Sequence, residues 1–292
     1  MDRIIFGDNQ FFGVNHVSDE KSRAQSIRFK EDISIIKTID IAREGGIDTF
    51  MCTTHERIAN ICQLILANQS QYAGFSIYPC LPYAHKYANA VTELGILGAL
   101  KQYVPGNLIS SAFKGGVALA SKDVLSLMEL LIDSEMKMFK GLNTPVIFLQ
   151  NVITDLLLGL RMKDVFKAYH AYIIKRYNAE PGYITMNMPM LLDVLEDVGI
   201  KNPIICSSIN IDGFRMSGGK ALYEHVLSTR EIRGIAMQVF SGGAVPPAKA
   251  IEYVAALPAI QSILFGASSR ANIQETIGLI NYYDSKSKLS IV

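Results

Sequence analysis

The chain has 292 residues, 49% apolar and 19% charged, with 28 basic against 27 acidic residues, a formal charge of +1 and no Trp. This composition excludes disordered, collagen-like and low-complexity classes, and it provides no overall field for nucleic acid or an acidic partner. The length suits a single domain over 1–292 with a sizeable core.

In chain order, short β-rich apolar runs alternate with segments of helical period. Strands are expected at 3–7, 47–51, 74–79, 146–150, 182–186, 204–208, 234–239 and 262–265. Helices are expected between them, at 33–43, 55–67, 165–177, 189–198 and 248–256. In the first, Ile33, Ile36, Ile39 and Ala42 recur as one helix face does. Gly45-Gly46 and Gly199 follow helices, where a C-terminal cap favours positive φ. Eight strands alternating with helices predict a (β/α)8 TIM barrel. A doubly wound sheet is the competitor, but no GxGxxG follows the first strand and the strand count is too high. The interval from 79 to 146 is long enough for a helical insertion between the third and fourth strands, expected at 121–139, and a Gly-rich loop at 105–116.

The cysteines at 52, 62, 80 and 206 form no CxxC, and Cys52 and Cys206 sit in apolar runs as small core hydrophobes. The first residues carry Asp2, Arg3 and Asp8 and lack a signal core, and no apolar run spans a bilayer. A cytoplasmic protein acting on a small molecule is expected, with no nucleic acid or membrane partner; the sequence leaves its oligomeric state open.

In such barrels the reactive groups lie at the C-terminal ends of the strands. The first strand is followed by a polar run from Asp8 to His16, containing Asn9 and Gln10. Asp48, Cys52, Thr53, Thr54 and His55 go with the second strand, Tyr83 and His85 with the third, and Gln150, Asn151 and Asp155 with the fourth. Asn187 follows the fifth, Ser207, Ser208 and Asn210 the sixth, Gln238 and Ser241 the seventh, and Ser268, Ser269 and Arg270 the eighth. Asp48 lies in an apolar run, where an unpaired carboxylate is costly, so a site role is expected. Thr54 has a second reading as the cap of the helix that follows. His170 and His225 fall within helices and are set aside. Asp8, His16, Asp48 and His55 lack the tight HxH or HxxxH spacing of a metal site, so no metal is expected. No GxSxG or P-loop is present.

Gly46-Ile47-Asp48-Thr49 resembles the glycine–x–Asp–Thr segment on the second strand of aldo/keto reductases. The run from Ser262 to Ser269, followed by Asn272, Ile273 and Glu275, resembles that family's last strand and cofactor-phosphate loop. Asn187 matches its nicotinamide-amide asparagine, and Ile235-Ala236 with Gly242-Gly243 fit its seventh strand and glycine loop. The resemblance follows the order of elements along essentially the whole chain and is specific in the second- and eighth-strand segments. It implies hydride transfer between NADP(H) and a carbonyl or hydroxyl substrate. It also implies cofactor contacts from Asn187, Ser207, Gln238, Ser241, Gly266, Ser268, Ser269, Arg270 and Asn272.

Of that family's proton-relay residues (a tyrosine, an aspartate, a lysine and a histidine) only the aspartate is matched, as Asp48. Thr53 stands for the tyrosine, no lysine occurs at 74–82, and the histidine position falls at Gln150 or Asn151. Met237 stands for the tyrosine that stacks on the nicotinamide, and Thr276 for the asparagine near the last helix. A non-standard set is therefore expected: His55 or Tyr83 as the acid oriented by Asp48, with His16 nearby and Asn9, Gln10, Gln150 and Asn151 on the substrate. The alternatives are a cofactor-free lyase or isomerase using Asp48, His16 and His55 on a polyol-like or carbonyl substrate, and a non-catalytic scaffold.

Overall fold

The computed structural model describes residues 1–13, 19–84 and 121–289. Eight parallel strands close into a barrel in sequential order. They are β1 (Ile4–Gly7), β2 (Thr49–Thr53), β3 (Ser76–Leu81), β4 (Val146–Leu149), β5 (Glu180–Thr185), β6 (Ile204–Ser208), β7 (Arg233–Met237) and β8 (Ile260–Phe265). The described helices are α1 (Asp19–Arg28), α2 (Asp32–Glu44), α3 (Glu56–Ala67), α4 (Ser121–Met136), α5 (Asn151–Gly159), α6 (Lys163–Tyr177), α7 (Met188–Asp197), α8 (Lys220–Thr229), α9 (Pro247–Ala255) and α10 (Arg270–Leu289). The fold is thus the expected (β/α)8 barrel. Helix α4 supplies the inserted helix between β3 and β4, continued by a short turn at Lys137–Phe139. The loop at 105–116 lies outside the described residues.

Alternation along the strands divides the core in two. Ile5, Met51, Tyr78, Cys80, Val146, Phe148, Ile184, Ile204, Cys206 and Ile235 fill the barrel interior. The intervening strand residues, such as Phe6, Phe50, Ile205 and Ile263, pack outward against the helices. Each fully buried aliphatic or aromatic side chain contributes about 1.5–3 kcal/mol. Phe148 needs room to lie inside the barrel, and its β5 neighbour Gly182 supplies it: a Cβ there would come 2.4 Å from the ring. Arg3 ties the start of β1 to α10 through a two-pronged ion pair with Asp284 at 2.7 and 2.6 Å.

Two strands are displaced as a whole by two residues toward the C-terminus. β2 and β3 each begin two residues later than the apolar pattern implied; before β2 the chain leaves α2 through Gly45 and Gly46, the latter at φ 86. Asp48 therefore precedes β2 and sits at the opposite, N-terminal end of the barrel. It is 51% exposed and pairs with Arg43 at 3.3 Å.

Candidate active site

At the C-terminal end of the barrel the carboxylate is Asp8, the first residue after β1, which is 6% exposed. Its Oδ2 accepts the backbone N–H of Thr53 at 2.8 Å and the Thr53 hydroxyl at 2.7 Å. Burial pushes the Asp8 carboxyl above its ordinary value, and the bonds from Thr53 oppose that shift only in part. Burial, followed by the Asp8 charge, raises the Tyr83 phenol and the Cys80 thiol.

His55 is the N-cap of α3, its Nδ1 accepting the Arg57 N–H at 3.2 Å. The neutral ring therefore carries its proton on Nε2. Burial holds its pKa below the ordinary histidine value. Phe12 stacks on it at 4.1 Å and 14°, and the Tyr83 ring lies 6.2 Å away. Phe12, His55 and Tyr83, from the exits of β1, β2 and β3, thus form one aromatic group next to Asp8. Thr54 does not cap α3. It is fully buried and donates its hydroxyl to Glu135 of α4, which also accepts the Tyr83 N–H at 3.0 Å.

The next exits add polar groups. Gln150 is buried and accepts the Ala84 N–H at 2.8 Å, while Asn151 opens α5 half-exposed and Asn9 faces solvent. Asp155, raised by burial, accepts the Thr185 hydroxyl at 2.5 Å and the Met186 N–H at 3.1 Å. Ser208 donates to Gln238 Oε1 at 2.6 Å. The exit of β7 carries stored backbone strain: Gln238 and Ser241 adopt φ 54 and 49, ahead of Gly242 and Gly243 at 72 and 96. The buried Ser241 hydroxyl and Gln10 Oε1 have no hydrogen-bond partner. Gln10 lies against Gly266, where a Cβ would come 2.0 Å from Oε1, so that glycine serves close approach and has no left-handed turn to make.

Some expected residues are placed differently, and others at the expected end already have partners of their own. Asp48 is at the far end of the barrel and does not meet His55. Ser207 is turned outward between β5 and β6, its hydroxyl spent on the Thr185 carbonyl at 2.8 Å; its neighbour Ser208 points inward instead. Asn187 caps α7 by accepting the Met190 N–H at 3.4 Å. Ser269 accepts the Asn272 N–H at the start of α10, and Arg270 pairs with Glu44 at 2.6 Å. His16 and His85 lie outside the described residues. Asp8 and Glu135 are the groups the residue pattern underweighted. Asp8 could have been found as the first carboxylate past a strand end, whereas Glu135 gave no signal, being one acidic residue in an amphipathic helix.

Among the described residues no helix is long and apolar enough to cross a membrane, and no three His, Cys, Asp or Glu side chains cluster as metal ligands. No protein-family model and no curated protein matches this sequence. Solved structures match its fold. A Pseudomonas aeruginosa protein assigned to the aldo-keto reductases superposes with TM-score 0.60 at 10% identity, over 97% of this chain and 90% of that one. Aldose reductase of Giardia lamblia matches with TM-score 0.54 at 11% identity over 99% and 92%. An aldo/keto reductase of Brucella melitensis gives 0.52 at 9% over 89% and 91%. At these identities the likeness establishes a shared fold.

Proposed function

We propose that this chain is an oxidoreductase of aldo-keto reductase type, which exchanges a hydride between NADP(H) and a carbonyl or hydroxyl substrate. The observation that carries the reading is the grouping of Asp8, Tyr83 and His55 at the C-terminal end of a barrel of that fold. NADPH, when bound, supplies the hydride. Tyr83 is the proposed proton donor to the substrate oxygen, its phenol kept protonated by burial and by Asp8. His55, neutral near pH 7 with its N–H on Nε2, is the second candidate donor. Asp8 takes the place beside the acid that the residue pattern gave to Asp48 as its orienting carboxylate, and acts there through its charge. Gln10, Gln150 and Asn151, with the exposed Asn9, are the proposed substrate contacts.

The residues fit a nicotinamide nucleotide in two respects. The unpartnered Ser241 hydroxyl and Gln10 Oε1 flank the exits of β7 and β1, where amide or hydroxyl partners would satisfy them. The N-terminus of the long helix α10, with Ser268, Ser269, Arg270 and Asn272, suits a phosphate. Gln238 and Asn187 border the same end. Four free buried thiols accord with a reducing cytoplasm.

Fluorescence titration with NADPH, followed by its oxidation in the presence of a panel of aldehydes, tests the reading. Saturable binding with aldehyde-dependent consumption supports it, and no binding at millimolar NADPH overturns it. A cofactor-free lyase or isomerase is the second reading. It is favoured by the engagement of Arg270 with Glu44 and of Ser269 as a helix cap, which leaves the eighth-strand loop its own partners.

A further inference from the structure

Glu135 is 1% exposed, on a turn of α4 flanked by the buried Ile132 and Met136. A carboxylate in such surroundings persists only where donors converge on it. Two of its donors come from different strand exits. The Thr54 hydroxyl bonds Oε2, and the Tyr83 backbone N–H lies 3.0 and 3.2 Å from its two oxygens. Thr54 directly precedes His55, and Tyr83 is itself a proposed proton donor. One buried carboxylate from the inserted helix therefore fixes both residues whose rings stand 6.2 Å apart.

We infer that Glu135 is a positioning residue that sets the relation between His55 and Tyr83, so that the inserted helix is part of the active site as well as of the barrel wall. The inference rests on the proposed function of that site. It meets the Tyr83 main chain and so fixes the backbone from which the phenol projects. Its bond to Thr54 holds the residue before the α3 cap, and so holds the His55 ring against Phe12. A helix that merely covered the barrel would need only apolar contacts, of the kind that the buried Ile132 and Met136 bring to the core.

The full chain carrying Glu135→Leu, Glu135→Gln or Thr54→Val tests this by three readouts. Isotope-edited NMR follows ring-to-ring contacts between His55 and Tyr83, thermal unfolding follows stability, and oxidation of NADPH with para-nitrobenzaldehyde follows turnover. We expect the ring contacts to be lost in Glu135→Leu and largely restored in Glu135→Gln, which keeps an acceptor oxygen. We also expect kcat to fall roughly ten- to hundredfold with little change in KM, as loss of donor placement predicts. Thr54→Val removes one bond only, and gives an intermediate effect even if Glu135→Leu fails to fold. Unchanged ring contacts in folded Glu135→Leu and Thr54→Val would overturn the inference. If no variant and no wild-type protein oxidises NADPH, the proposed chemistry fails, and the NMR result still decides the positioning role.

Discussion

A single oxygen of Asp8 accepts both the main-chain N–H and the hydroxyl of Thr53, at 2.8 and 2.7 Å, and so locks the exit of β1 to the last residue of β2. The bonds hold the carboxylate in place but do not fully offset the loss of water around it, since its pKa is raised. A group whose folded pKa is raised binds its proton more tightly in the folded state than in the unfolded one. Its contribution to stability is therefore full below about pH 3.8 and is lost as pH climbs through the folded value.

Asp8→Asn should accordingly fold well, because an amide oxygen can accept both Thr53 donors and carries no charge to desolvate. Its melting temperature at neutral pH should equal or exceed that of the wild type. Turnover should fall by roughly two to four powers of ten if Asp8 sets the charge beside Tyr83. Lower stability together with normal turnover would assign Asp8 a purely structural role.

His55 has the opposite sign. Burial lowers its pKa, so its stabilising contribution is full above about pH 6.5 and is lost as pH falls toward the folded value. Protonation would also place a hydrogen on Nδ1, where the Arg57 N–H now bonds. His170, which is lowered as well and meets the Tyr183 hydroxyl at 3.1 Å, adds to the same slope. His55→Asn keeps a good capping side chain and removes the titration. Melting temperature plotted against pH should be flatter for this variant below neutrality; an unchanged slope would place the ring in water.

The barrel was legible because its signal is repetition: eight apolar runs separated by helical periods, each needing only approximate bounds. The site depended on finer detail. Gly46-Ile47-Asp48 reads like the start of a strand, but the two-residue delay of β2 moves Asp48 to the far end of the barrel. Ser207 and Ser208 differ by one position, and parity alone sends one hydroxyl outward to Thr185 and the other inward to Gln238. Parallel strands are buried on both faces, so their composition carries no mark of which parity is inward. Gln150 and His55 lie near strand exits as expected, because the ends of β4 and β2 fall within two residues of the ends of their apolar runs.

The fit of Phe148 against Gly182 is a sharp test of the interior packing. Gly182→Ala would bring its Cβ into the ring of a residue with no exposed surface, inside a closed barrel that cannot open locally. A loss of about 1–3 kcal/mol is expected, as for other overpacked cores. Adding Phe148→Leu should recover part of it. Chemical denaturation of the two single variants and the double variant measures the coupling, and simple additivity would mean that the two residues do not meet.

The eighth-strand loop decides whether a phosphate belongs on this barrel. Arg270 is held by Glu44 at 2.6 Å, but both side chains are more than half exposed, and such pairs contribute only about 0–1 kcal/mol. A charge-assisted hydrogen bond to a phosphate contributes about 1.5–3 kcal/mol, so a phosphate reaching Arg270 would win it from Glu44. The N-terminus of α10 and the Ser268 and Ser269 hydroxyls add donors, at the cost of the Ser269 bond to Asn272 at 3.2 Å. Glu44→Gln should therefore tighten NADPH binding by a few-fold, by freeing the guanidinium. Replacing Ser268 and Arg270 together with alanine should weaken binding by roughly tenfold or more. Isothermal titration with NADPH and with NADH separates the cases, because only NADPH carries the extra ribose phosphate. If the double variant binds both nucleotides as the wild type does, the loop is an ordinary helix cap and the phosphate is held elsewhere.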